Sequence, residues 1–215
     1  MKSLCPALAQ LPPLQVSVTQ IQDLFASSDS ELSADLPNPH IEPQVSAADK
    51  AHARAAAVLM LLVDEPRPAL LLTRRSPNLR FAGHQVFPGG ISDATDATPL
   101  ATMLREVREE IGLCSHQFDV FGRFGDYYTH SGFRIAAFVG RIAPPLELHP
   151  NPAEVDQVST VPLDVLLNPA NYQLRERSLE PRRANYFLEH GDIHLTGPTI
   201  SLIISMYRAL SGHCG

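Results

Sequence analysis

Positive charge is scarce in this chain. Its 17 Lys and Arg stand against 23 Asp and Glu, a formal charge of −6. Non-specific nucleic-acid binding relies on clustered Lys and Arg, so the charge argues against that function class. A small anionic substrate is not, because a bound divalent cation can reverse the local field. Cysteine is scarce too. Cys5, Cys114 and Cys214 are odd in number and far apart, which argues against a disulfide framework or a metal knuckle. A reducing cytoplasm is the simplest setting, and Cys114, directly after Leu113, reads as a small apolar packing residue. Long apolar runs are missing: Ala55 to Val63 falls short of the roughly 18 residues that a membrane span needs, and Asp64 follows it. Early prolines and a single nearby Lys argue against a secretory signal, and His213-Cys214-Gly215 is no peroxisomal address. The expected partner is therefore a small molecule rather than nucleic acid or a membrane. A homodimer is compatible with the sequence.

What is present is enough for one ordinary domain: 215 residues, 44% of them hydrophobic. Residues 1–50 read as an N-terminal appendage, partly ordered, punctuated by Pro12, Pro13, Pro37, Pro39 and Pro43. One short helix fits residues 16–26, with Val18, Ile21, Leu24 and Phe25 on one face. The compact domain is expected over residues 51–215. Ala55 to Val63 and Ala69 to Thr73 read as strands across the turn Asp64-Glu65-Pro66-Arg67-Pro68, and a Gly- and Asp-rich loop runs from Gly89 to Thr98. After a helix come strands near Phe118 to Tyr127, Phe133 to Ile142 and Val155 to Val161, then a short helix from Pro162 to Leu167. Tyr186 to Glu189 and Ile193 to Leu195 can pair across His190-Gly191-Asp192, and a last helix spans about Pro198 to Leu210. Strands and helices mixed in this order imply an α/β (α+β) sandwich.

The chemistry concentrates on the helix after Thr98. Thr98 suits the N-cap, Pro99 the first helical position, and Gly112 the left-handed residue that ends a helix. Leu100, Met103, Leu104, Val107 and Ile111 recur at helical spacing and are expected to form a buried stripe. At about 100° per residue, Glu106 and Glu110 lie about 40° apart, one turn above the other, with Glu109 on the same flank. Carboxylates gathered at a helix C-terminus repel one another and oppose the macrodipole. A hard cation such as Mg²⁺ would turn that liability into a ligand set. A merely solvated acidic face, with Arg105 paired to Glu109, is the alternative that the helix alone leaves open.

The run Arg105-Glu106-Val107-Arg108-Glu109-Glu110-Ile111-Gly112-Leu113, with Gly90 upstream, closely resembles the Nudix box of Nudix hydrolases. One departure is a loop longer by one residue: Asp96 stands nine positions before Arg105, with Asp93 as a second candidate for the loop acid. Leu71-Leu72-Thr73-Arg74-Arg75-Ser76, Leu79-Arg80, Gln85-Val86 and Phe87-Pro88-Gly89-Gly90 resemble the signature that precedes the box in coenzyme A diphosphatases. The order Gly83-His84-Gln85-Val86-Phe87 departs from that branch at His84. The resemblance covers about Ala55 to Leu210.

It implies a Nudix-type α/β/α sandwich with mixed β-sheet, and attack by water on a diphosphate assisted by Mg²⁺ or Mn²⁺. The implied substrates are coenzyme A or acyl-coenzyme A, with ADP-ribose or a dinucleotide as the alternative. A non-catalytic nucleotide-binding regulator is the alternative of another class. Glu106 and Glu110 are then the principal metal ligands, Glu109 a further ligand or the general base, the carbonyl of Gly90 a possible ligand, and Arg105 an orienting partner of the acids. Gly89 and Gly90 let the backbone approach the site closely. Arg75 and Arg80 are candidates for gripping phosphates; each could equally be a surface arginine. Three further candidates are Asp96, His130 as a pocket residue, and Glu154 as an acid reaching the site from another strand. Tyr127 and Tyr128 could stack on an adenine, although one of two successive strand residues must face the core.

Overall fold

The computed structural model describes residues 8–26, 35–180 and 182–212; Cys5 and Cys214, read above from spacing alone, lie outside them. The fold is organised by strand β1 (Arg54–Val63), an unbroken apolar run after Arg54. Such a run requires cover on both faces. Ala57, Leu59, Leu61 and Val63 pack on one side with Met103, Val107 and Ile111, while Met60 and Leu62 pack on the other with Ile200, Ile203, Ile204 and Tyr207. The helices so placed are α3 (Pro99–Ile111) and α5 (Gly197–Ser211), and the α/β/α sandwich expected from the sequence is what forms.

β1 pairs antiparallel with β2 (Ala69–Arg75) and parallel with β6 (Phe133–Ile142) over its whole length, which makes the sheet mixed. The seven strands include the path β3-β2-β1-β6-β5, where β3 is Gln85–Val86 and β5 is Asp119–Tyr128. The remaining two are β4 (Gly89–Ile91), paired with β1, and β7 (Val155–Pro162), paired with β2. A second sheet joins β8 (Tyr172–Leu179), β9 (Arg182–His190) and β10 (Ile193–Leu195). The short helices are α1 (Val18–Ala26), α2 (Ala47–Ala51) and α4 (Leu163–Leu166). Among the described residues, no helix is long and apolar enough to cross a membrane.

Ser17 and Gln20 start α1 as a reciprocal pair: Ser17 N–H donates to Gln20 Oε1 at 2.8 Å, and Gln20 N–H donates to Ser17 Oγ at 3.2 Å. The helix buries Val18 and Ile21 in the same core as α5. Leu8 and Leu36 join them, and backbone hydrogen bonds run from Leu14 to Leu167 and from Leu36 to Asp126. The described part of the leader therefore shares the domain's core.

Three local expectations need correction. Leu100, in the first turn of α3, is 40% exposed rather than part of the buried stripe. Gly89–Ile91, expected as the start of a loop, is a strand paired with Ala56, Ala57 and Val58. The strand β8 was not expected at all; its Gln173 to Arg177 are exposed, so no apolar alternation marks it.

Candidate active site

The site is built where β4, α3 and the segment before β7 meet. Thr98 Oγ1 accepts the N–H of Ala101 and starts α3, and Gly112, at φ +75°, ends it. The last helical carbonyls, which have no partner inside a helix, accept backbone N–H groups from the following loop: His149 donates to Ile111 at 2.8 Å and Asn151 to Glu110 at 2.9 Å. These bonds carry Glu154 to the acidic face of α3. Asn151 Nδ2 donates to Glu154 Oε1 at 3.3 Å, and Ser76 N–H donates to the Glu154 carbonyl at 2.9 Å.

As a result Glu106, Glu110 and Glu154 each place a carboxylate oxygen within 4.8 Å of the others. Glu110 is only 3% exposed, and its one hydrogen bond among the described residues comes from Gly89 N–H at 3.0 Å. Burial pushes its carboxyl up to about 8, against the Gly89 bond, and the charges of Glu106 and Glu154 push the same way. Burial also raises Glu106, opposed by Arg105. Three convergent carboxylates, one of them buried with no hydrogen-bonded cation, are an all-oxygen donor set suited to a hard divalent ion.

Arg105 is committed to protein acceptors. Its Nε and one terminal nitrogen grip Asp96 at 3.1 and 2.9 Å, and that same terminal nitrogen donates to the Ile91 carbonyl at 3.0 Å. Its other terminal nitrogen donates to Glu106 Oε1 and Glu109 Oε2, both at 2.9 Å. All the guanidinium donors are thus spent on protein acceptors, which makes Arg105 a positioning residue. Asp96, held well below the usual carboxylate range by this guanidinium, anchors Arg105 and stands apart from the three acids. Asp93 lies farther off, at 3.8 Å. Glu109 also stands outside the group of three, with half its side chain in solvent. A cavity of about 510 Å³ opens beside it, lined by Leu104, Arg105, Arg108, Glu109, Cys114 and Ser115.

The two glycines act through close approach. A Cβ on Gly90 would stand 2.4 Å from the Glu106 carboxyl carbon, so the side chain lies where only glycine leaves room. Gly89, at φ +143°, donates its N–H to Glu110 Oε2 at 3.0 Å.

The remaining candidates separate. Arg75 lies close enough to Glu110 to favour its charged form, and its Nε donates to the Arg80 carbonyl at 3.1 Å. The Arg80 guanidinium lies over the Phe81 ring. His130, exposed in the β5–β6 turn, stands 3.4 Å from Glu42 and outside the acidic group. Tyr127 is buried, with its hydroxyl accepting from Ser201, and Lys50 lies over the Tyr128 ring. Sequence reasoning missed Ser76 and Asn151. Only the turn-forming Asn151-Pro152 before Glu154 could have pointed to the latter.

A family model described as NUDIX domain matches residues 52–182. The chain belongs to the Nudix family. An uncharacterized Nudix hydrolase NudL of Photorhabdus laumondii is 36% identical over 152 residues, covering 70% of this chain and 81% of that one. Its counterpart in Pectobacterium atrosepticum is 43% identical over 112 residues, covering 52% and 58%. Among solved structures, the Nudix hydrolase RenU of M. smegmatis aligns with a TM-score of 0.44 at 26% identity, over 51% of this chain and 71% of that one. As a Nudix hydrolase the chain is a pyrophosphohydrolase of nucleoside diphosphate derivatives.

Proposed function

We propose that this Nudix hydrolase cleaves the diphosphate of coenzyme A or an acyl-coenzyme A, giving 4′-phosphopantetheine or its acyl form and adenosine 3′,5′-bisphosphate. Glu106, Glu110 and Glu154 are proposed to hold Mg²⁺ or Mn²⁺, with the Gly90 carbonyl as a candidate further ligand. When bound, the ion would offset the diphosphate's charge and make the attacking water more acidic. Glu109 Oε2 is held by Arg105, while Oε1 carries no hydrogen bond among the described residues. Oε1 is the atom proposed to take the proton from water. Arg105 keeps Glu106 and Glu109 in register, and Gly89 fixes Glu110.

One observation carries the substrate reading. The segment Leu71 to Gly90, which resembles the coenzyme A signature, runs through the site itself. Arg75 acts on Glu110, Ser76 holds the Glu154 backbone, and Gly89 holds the Glu110 carboxyl. A phosphate-release panel of coenzyme A, acetyl-coenzyme A, ADP-ribose and diadenosine polyphosphates tests it. Coenzyme A compounds are expected to give the highest kcat/KM; preference for ADP-ribose or a dinucleotide would overturn the substrate reading, and no turnover of any would favour a regulator. The complete acidic set argues against the regulator.

Glu154 gives a second test. Glu154→Gln keeps the Asn151 hydrogen-bond acceptor but removes one ligand charge. The Mg²⁺ concentration for half-maximal activity is expected to rise about tenfold. An unchanged metal dependence would remove Glu154 from the ligand set.

A further inference from the structure

The loop between β2 and β3 displays an aromatic ring that the core does not use. Phe81 is 51% exposed, and it is the one non-glycine residue with positive φ, at 60°, among the described residues. A bulky side chain in that conformation is a strained arrangement that its surroundings must enforce. Here the enforcement is visible. Arg75 N–H donates to the His84 carbonyl and Gly83 N–H to the Arg75 carbonyl, both at 3.0 Å. His84 N–H donates to the Phe81 carbonyl at 3.2 Å, and Arg75 Nε reaches the Arg80 carbonyl. Arg80 places its guanidinium 4.8 Å from the Phe81 ring centre, and the His84 ring stands tilted at 5.7 Å.

Both ends of this loop are tied to the acidic site. Ser76 at its start donates to the Glu154 backbone, and two strand residues after His84 the chain reaches Phe87 and then Gly89 and Gly90. An exposed ring backed by a guanidinium, beside a site for phosphate chemistry, has the composition of a stacking platform for a nucleobase with a cation for its phosphates. We infer that Phe81 is a base-stacking residue: the adenine of the substrate lies on its open face, with Arg80 and His84 at the phosphate-bearing ribose. The inference rests on the nucleoside diphosphate reading above and names the half of the substrate that this loop binds.

The chain has no tryptophan, so Phe81→Trp installs a single tryptophan, excited selectively over the tyrosines, at the platform. Titration with ADP, adenosine 3′,5′-bisphosphate and 4′-phosphopantetheine, each without metal, is expected to give saturable quenching by the two adenine nucleotides and none by 4′-phosphopantetheine. Phe81→Gly removes the ring while suiting the positive φ. With the best substrate of the panel it should raise KM about tenfold, the scale of one lost base stack, with kcat within about twofold. Absence of quenching by both adenine nucleotides, quenching by 4′-phosphopantetheine alone, or an unchanged KM in F81G would each overturn the inference. Because adenine nucleotides probe the platform directly, quenching by ADP survives even if coenzyme A proves not to be the substrate. The two readings therefore fail separately.

Discussion

Glu110→Gln is expected to lower turnover by about 10³-fold or more, about 4 kcal/mol of barrier, with the fold intact. The amide still accepts the Gly89 N–H, so the local hydrogen bond persists while the ligand charge is gone. The same variant reports on stability. Burial lifts Glu110 from an ordinary 4.5 to about 8 in the folded protein. The folded state thus binds this proton more tightly than the unfolded chain. Its stabilising contribution is complete below about 4.5, declines as pH rises, and is gone above about 8. The whole effect is on the order of 5 kcal/mol for this nearly buried group. Metal-free wild type should therefore lose stability between pH 5.5 and pH 8.5 relative to E110Q, and Mg²⁺ should restore it at the upper pH. Denaturant unfolding of both proteins, with chelator and with Mg²⁺, measures this. Parallel pH curves for the two would mean that Glu110 is not the strained acid of the site.

How much of this was legible in the sequence depends on the range of the interactions. The α3 helix was readable to the residue because its signals are local: Thr98 caps it, Pro99 opens it and Gly112 closes it. Glu106 and Glu110 followed from helical geometry, and the Arg105–Glu109 pair from its spacing. The alternation of β1 between two helices was implied by its unbroken apolar run. The third acid was a different matter. Glu154 is 44 positions beyond Glu110, and nothing local to it specifies the backbone bonds from His149 and Asn151 that bring it over. The role of Asp96 was open for a similar reason. Its place in the loop fits a ligand or an anchor equally, and the decision falls to Arg105, which claims both of its oxygens. The strand β8 was illegible because it is paired through its backbone while its side chains stay in solvent, so only pairing with β9 defines it.

The adjacent glycines should break the enzyme in two different ways. Gly90→Ala sets a methyl group against the Glu106 carboxylate, at 2.4 Å from its nearest atoms. A carboxylate at the end of a flexible side chain can swing away, so stability should fall little. Arg105 holds that carboxylate, however, and its displacement removes a proposed ligand from the group of three. Activity should drop by about 10²-fold, the scale of an ångström-sized misplacement. Gly89→Ala meets backbone instead: its Cβ would lie 2.2 Å from the Ala57 carbonyl oxygen and 2.6 Å from the Val58 Cα. Neither atom can move without opening the β1–β4 pairing, and φ +143° is itself hostile to a side chain. A loss of about 3 kcal/mol or more is expected, with activity lost as well, since the N–H that orients Glu110 moves with the backbone. Melting temperature and kcat measured on both variants separate the cases. A G90A enzyme that melts near wild type yet turns over poorly would show that the glycine serves the carboxylate rather than the sheet. One that retains full activity would show that the position of Glu106 is not required, and the ligand set would then have to be rebuilt around Glu110 and Glu154.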